Sequence, residues 1–180
     1  PTRRSSDLDL DPAPDVEWKR VVKATLAVRE LLERLKLKSF LKLSGGKGVH
    51  LHVPIAPRYC WEQIKSFCHA VARQLAQAQP ELFTAALPKR ERTGKIFIDY
   101  LRNDRGSTAV VPYSPRAKSA ATVAVPIAWT ELSERVPSDH YTIGTLAKRL
   151  ASLKSDPWEA MAKTRQSLTE PLKLLDSLSK

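Results

Sequence analysis

Strict alternation of polar and apolar residues marks the start of the chain. Asp7-Leu8-Asp9-Leu10-Asp11 sends its leucines to one side of a strand and its aspartates to the other, and Pro12-Ala13-Pro14 ends it. From Asp15 to about Leu37 the period changes. Trp18, Val21, Val22, Val28, Leu31, Leu32 and Leu35 recur at helical spacing, Lys and Arg fill the other side, and Asp15 is placed to cap the start. Phe40-Leu41-Lys42-Leu43 is a second short strand. The loop Ser44-Gly45-Gly46-Lys47-Gly48 follows, and alternation resumes in Val49-His50-Leu51-His52-Val53, closed by Pro54. Trp61, Ile64, Cys68, Val71 and Leu75 outline a second helix that ends before Pro80. A basic loop, Pro88 to Gly94, then leads into a strand from Lys95 to Leu101. Ala109 to Val111 and Thr122 to Val125 read as extended, and the tail as two helices, about Thr142 to Leu153 and Pro157 to Leu168. This order of strands and helices predicts an α+β or α/β domain with its sheet flanked by helices.

A chain of 180 residues is long enough to bury one real core. Charge adds more than composition does: the formal net charge is +11 and the pI is near 9.9, which favours partners dense in negative charge, such as nucleic acid or nucleoside triphosphates. No apolar run approaches the ~20 residues that cross a bilayer, and Pro1 to Ser6 lack the apolar stretch of a secretory signal. Cys60 and Cys68 fall eight apart in the expected second helix, as buried free thiols of a reducing compartment. Without a paired Cys/His ligand set, zinc is disfavoured and the cytoplasm is the default location.

Three features carry candidate chemistry. Asp9 and Asp11 leave one face of their strand roughly 6–7 Å apart, and two carboxylates so close call for cations between them. A pair of divalent ions about 3.5–4 Å apart would supply that, and oxygen ligands suit magnesium or manganese. The plainer explanation is acidic decoration of a solvated edge strand. Asp99 interrupts Lys95-Ile96-Phe97-Ile98-Asp99-Tyr100-Leu101, a run apolar on both faces, where a carboxylate must be paired or bound to metal. An ion pair with Arg102 is its plainer explanation, and a shared site with Asp9 and Asp11 the sharper one. The Ser44–Gly48 loop joins two strands and lacks the Walker A spacing. Its glycines still let backbone N–H groups approach an anion, with Ser44, Lys47 and the histidines His50 and His52 beside it. A flexible hairpin is the alternative. A basic set, Arg92, Arg102 and Arg116 with Lys89, Arg90 and Arg105 nearby, matches phosphate oxygens or, more plainly, forms a solvated face.

Taken together, Asp9-Leu10-Asp11-Pro12, the Ser44–His50 loop, Phe97-Ile98-Asp99-Tyr100-Leu101-Arg102-Asn103, Val111-Pro112-Tyr113-Ser114-Pro115-Arg116 and Asp156-Pro157-Trp158 resemble the polymerase domain of bacterial ATP-dependent DNA ligase D, of the archaeo-eukaryotic primase superfamily. The resemblance runs from Asp9 to about Leu168. It implies a primase-like α+β core with a mixed or antiparallel sheet, and a nucleotidyltransferase that extends DNA ends and fills gaps in bacterial non-homologous end joining, in the nucleoid. It implies that Asp9 and Asp11 bind two metal ions and Asp99 one of them. Ser44, Lys47, His50, Arg92 and Arg116 would hold the triphosphate, and Arg102 the triphosphate or the nucleic-acid backbone. It also implies manganese over magnesium, ribonucleotides over deoxyribonucleotides, and Ku and linked ligase and phosphoesterase domains as partners. Alternatives are a DNA-end-binding module impaired in catalysis and a replicative or plasmid primase.

Residues 1–8 read like a translated sequencing adapter, since the family carries apolar strand residues where Ser6 and Asp7 stand. The expected division is therefore a non-native segment, 1–8, and a catalytic domain fragment, 9–180. A start truncated in this way implies an exposed sheet edge, marginal stability and weak activity.

Overall fold

The computed structural model describes residues 5–178. Six strands form one sheet: β1 (Ser5–Pro12), β2 (Phe40–Leu43), β3 (Val49–Pro54), β4 (Phe83–Thr84), β5 (Ile96–Asp99) and β6 (Val125–Ile127), in the order β4-β5-β1-β3-β2-β6. All neighbours are antiparallel except β4 and β5, so the sheet is mixed. Four helices accompany it: α1 (Trp18–Arg34), α2 (Trp61–Ala78), α3 (Ile143–Ser152) and α4 (Thr169–Leu178). This is the α+β arrangement expected from the sequence.

The alternation along β1 decides how the sheet is used. Leu8 and Leu10 join Val49, Leu51 and Val53 of β3, Leu41 and Leu43 of β2, and Ile96 and Ile98 of β5 in a fully buried apolar layer. Val21, Val28 and Leu32 of α1 and Ile64, Phe67, Val71 and Leu75 of α2 belong to the same cluster. Each such side chain withdrawn from water contributes about 1.5–3 kcal/mol. The other face of the central strands is left to polar residues. β1 lies in the middle of the sheet, so the aspartates do not decorate a solvated edge. The outer strands are short, and β6 carries Pro126, which blunts pairing there.

Several boundaries differ from expectation. Helix α1 starts at Trp18 with Glu17 at its cap position, and Asp15 accepts the Gly94 N–H at 3.1 Å instead of capping. Asp15 sits two residues too early and serves the turn before β5. Cys68 is buried in α2, whereas Cys60 precedes the helix and is exposed. Ala109 to Val111 belongs to no strand, and Thr122 forms only an isolated bridge to Thr142 before β6 begins at Val125. The Pro157–Leu168 segment is not helical. Its side chains are spent on the sheet: Trp158 Nε1 donates to the Leu41 carbonyl (2.9 Å), and Gln166 Nε2 to the carbonyls of Lys38 and Pro54. The last helix is Thr169–Leu178. Of the segment expected to be non-native, 1–4 lies outside the described residues. Ser5–Leu8 forms the first half of β1, with Ser6, Asp7 and Leu8 fully buried.

Gly48 sets the spacing between β3 and β1. A Cβ there would stand 1.8 Å from the Leu10 carbonyl oxygen. Gly48→Ala must force the two central strands apart, and is expected to destabilise the chain by roughly 1–3 kcal/mol or more. Urea midpoints of the two proteins check this, and an unchanged midpoint would contradict the contact.

Candidate active site

One line of residues crosses the polar face. Lys42 of β2 is opposite His50 of β3, His50 is opposite Asp9 of β1, and Asp9 is opposite Asp99 of β5. Residues directly opposite in an antiparallel pair hold their Cβ atoms about 4.5–5.5 Å apart on the same face, so strand pairing alone brings Asp9 and Asp99 together across 90 residues of sequence. Asp7 and His52 form the next pair along β1 and β3, and Asp11 lies on the other side, opposite Phe97.

Each acid has a distinct setting. Asp99 ends β5. Its Oδ1 accepts the Leu101 N–H (2.9 Å), which starts the 3-10 turn Leu101–Asn103, and that turn returns Arg102 over the acids. Arg102 Nε lies 3.0 Å from Asp99 and 3.7 Å from Asp9. The ion pair offered as the plain explanation of Asp99 therefore exists, but it spans two carboxylates. Asp11 is exposed, 3.9 Å from Arg92, whose guanidinium stacks on Phe97 with its carbon 3.6 Å from the ring centre and donates to the Leu87 carbonyl.

Next to these acids lies a second buried group. Asp7, His50 and His52 place one ligand atom each within 4.8 Å of one another and form a possible metal site. His50 Nδ1 donates to both Asp7 oxygens (3.2 Å each), which turns Nε2 toward Asp9, 3.8 Å away. Asn103 clamps Asp7 from the far side, accepting its N–H (2.8 Å) and donating to its carbonyl (2.7 Å).

Hydrogen bonds from distant segments tie down the glycine loop. Ser138 accepts the Gly45 N–H on its carbonyl and donates its hydroxyl to the Gly48 carbonyl, while Thr122 donates to the Gly45 carbonyl. The Ser44 hydroxyl shares a hydrogen bond with Ser138 Oγ (3.1 Å) and accepts the Gly46 N–H (3.1 Å). Gly45 has φ +68°, and a Cβ there would press on Val123 and on the Arg116 side chain. The hairpin is thus bonded to the segments around residues 122 and 138.

Asp9, Asp11, Ser44, Lys47, His50, Arg102 and Arg116 line one open cavity of about 800 Å³, with Thr108 to Val110 as a further wall. That volume is in the range of small-molecule sites. Asp99 stands behind Asp9 and Arg92 beside Asp11, whereas Lys89, Arg90 and Arg105 are exposed and are not among the lining residues. Sequence reasoning missed Lys42, Asp7, Asn103, Thr122 and Ser138 as contributors. Parity signalled the first two, since Asp7 shares the face of Asp9 and Lys42 that of Phe40. The other three act through contacts 77–96 residues distant, with no local signal.

The donors of Asp9, Asp11 and Asp99 are all oxygens; the Arg102 guanidinium faces both Asp9 and Asp99, and His50 faces Asp9. Such a set fits a hard divalent cation better than zinc.

Comparisons with known proteins agree with this geometry. A family model described as "LigD, primase-polymerase domain" matches residues 2–158. The chain is 43% identical over 167 residues to the multifunctional non-homologous end joining protein LigD of Pseudomonas aeruginosa, covering 92% of this chain and 20% of that protein. It is 33% identical over 152 residues to the bifunctional non-homologous end joining protein LigD of Bacillus subtilis, covering 83% and 25%. Among solved structures, the polymerase domain from Mycobacterium tuberculosis ligase D in complex with DNA superposes with a TM-score of 0.84 at 30% identity, over 92% of this chain and 57% of that one. The chain thus spans a quarter or less of these two curated relatives.

Burial pushes the Asp9 carboxyl up from 3.8 to about 6, the carboxylates of Asp7 and Asp99 add to the rise, and His50 and Arg102 pull against it. Burial acts on Asp7 as well, but the charge of His52 and the hydrogen bond from His50 outweigh it and hold that group well below the usual carboxylate range. The signs are opposite. For Asp9 the folded chain binds the proton more tightly, so stability present below 3.8 is lost as pH rises through about 6. For Asp7 stability is present above its ordinary value and lost as pH falls. Metal-free chain is therefore expected to lose stability between about pH 4 and pH 6, and Asp9→Asn to flatten that decline. Urea unfolding at pH 4, pH 5 and pH 6 measures it; parallel profiles for the two proteins would refute it.

Proposed function

The chain belongs to the LigD primase-polymerase domain family, and from that premise we propose that it is a metal-dependent nucleotidyltransferase that adds nucleotides, ribonucleotides in preference, to DNA ends and gaps during non-homologous end joining. The observation that carries this reading is the single cavity bounded by the acids, the glycine loop and the arginines, with Asp99 directly across from Asp9.

In this reading Asp9, Asp11 and Asp99 hold two divalent ions, manganese or magnesium. When bound, such ions sharpen the nucleophilicity of a primer 3′-hydroxyl and stabilise charge on the attacked and departing oxygens. The chain's own groups do the rest. Lys47, His50 and Arg116 face the cavity as donors for a triphosphate, with Arg92 beside Asp11 and the Ser44 hydroxyl at the loop. Because Ser138 and Thr122 fix the loop, its N–H groups need little reorganisation to meet an anion. Asp7 and Asn103 orient His50 so that its Nε2 stays on the cavity side. Arg102 bridges the acid pair and would turn toward phosphate once another cation neutralises that pair.

The net charge of +11 supports a DNA partner held through phosphate contacts. The LigD relatives are named as multifunctional or bifunctional proteins, so linked ligase and phosphoesterase activities and a Ku partner belong to the same proposal.

Primer extension on gapped DNA with manganese and ribonucleotides tests it. Wild type is expected to extend the primer, and Asp99→Ala to reduce the rate by on the order of 10³-fold or more, since each 1.36 kcal/mol of lost stabilisation is tenfold. Salt-sensitive DNA binding without extension would make the chain a DNA-end-binding module, and synthesis without a primer would make it a replicative type of primase.

A further inference from the structure

Lys42 is the largest fully buried side chain, 1% exposed, and no role in the chemistry above uses it. An ammonium in that position is costly. Burial lowers its proton affinity and Arg116 lowers it further, while Asp7 and Asp9 pull it back. A methionine would fill the same space without that cost. The compensating contact is specific: Nζ donates to the Val110 carbonyl at 2.5 Å, and lies 5.9 Å from the centre of the Trp158 ring.

The recipient of that bond matters. Thr108, Ala109 and Val110 line the same cavity as the glycine loop and belong to no strand. Two cationic side chains from the acid face reach its carbonyls: Arg102 Nη1 to Thr108 (3.2 Å) and Lys42 to Val110. Arg102 is shared with Asp9 and Asp99, so its hold on the wall depends on the charge state of those acids. Lys42, opposite His50 in the sheet, does not line the cavity and makes no ion pair with those acids, although Asp7 and Asp9 help keep it charged.

We propose that Lys42 is a positioning residue for the incoming nucleotide: its ammonium fastens the 108–110 wall to the centre of the sheet through the Val110 carbonyl, and thereby fixes the width of the nucleotide cavity. The inference rests on the proposed function of that cavity. A hydrogen bond from a charged group is strong enough that losing it changes an equilibrium by roughly tenfold or more.

The test compares wild type with Lys42→Met and Lys42→Arg. In primer extension, Lys42→Met is expected to raise KM for the nucleoside triphosphate by roughly tenfold or more while kcat changes far less, with partial recovery in Lys42→Arg. Amide hydrogen exchange across 108–112 is expected to speed up in Lys42→Met. An unchanged KM in a folded Lys42→Met protein, a loss confined to kcat, or unaltered exchange at the wall overturns the proposal. Should Lys42→Met fail to fold, Lys42→Leu, which likewise has no donor, takes its place, and an unchanged KM there overturns the proposal equally. Calorimetric binding of ATP without primer separates the two levels of inference. Wild type that binds ATP but extends nothing refutes the polymerase reading alone, and the affinity of Lys42→Met then decides the positioning role. Absence of ATP binding by wild type overturns both.

Discussion

Everything at the polar face depends on β1 being paired on both sides, with β3 at one edge and β5 at the other. That double pairing puts Asp9 between His50 and Asp99 and forces two carboxylates to share a half-buried position. Apolar packing supplies the force that holds them there. The leucines of β1 are locked into the helix-covered layer, so the aspartates cannot turn away without exposing Leu8 and Leu10. A repulsive arrangement of charge is thus maintained by the hydrophobic effect acting on the opposite side of the same strand.

The compensation is uneven, and this gives the site its character. The Asp7 carboxylate is met by two histidines, while Asn103 holds its backbone. Asp9 and Asp99 share one arginine, and Asp11 faces solvent with Arg92 at the limit of an ion pair. Charge is therefore neutralised most completely at one end of β1 and least at the other, where the cavity opens. Under the proposed function, a cation entering the under-compensated end would relieve a repulsion that the fold otherwise bears, and would thereby raise folded stability.

Much of this was legible in the sequence, for definite reasons. Alternation in Asp7–Asp11 and Val49–Val53 fixed which side chains share a face, and the apolar run around Asp99 marked its strand as internal. The sequence could not show that Arg102 answers both Asp9 and Asp99, since that follows from a three-residue turn after β5. Nor could it show that Ser138 and Thr122 hold the glycine loop, because a lone serine or threonine in a loop carries no periodic signal. The tail misled. Pro157–Leu168 has helix-compatible spacing, but Trp158 and Gln166 gain more by bonding the ends of β2 and β3 than by joining a helix.

The long reach of the loop contacts also bears on how the chain is born. Ser44 meets its partner Ser138 across 94 residues. At 5–20 residues per second, translation leaves roughly 5–20 s between the emergence of the two. Throughout that interval the glycines of the nascent polypeptide lack Ser138 to organise them, so the loop takes its final form only after β1, α1 and the strands β2 and β3 have had time to assemble.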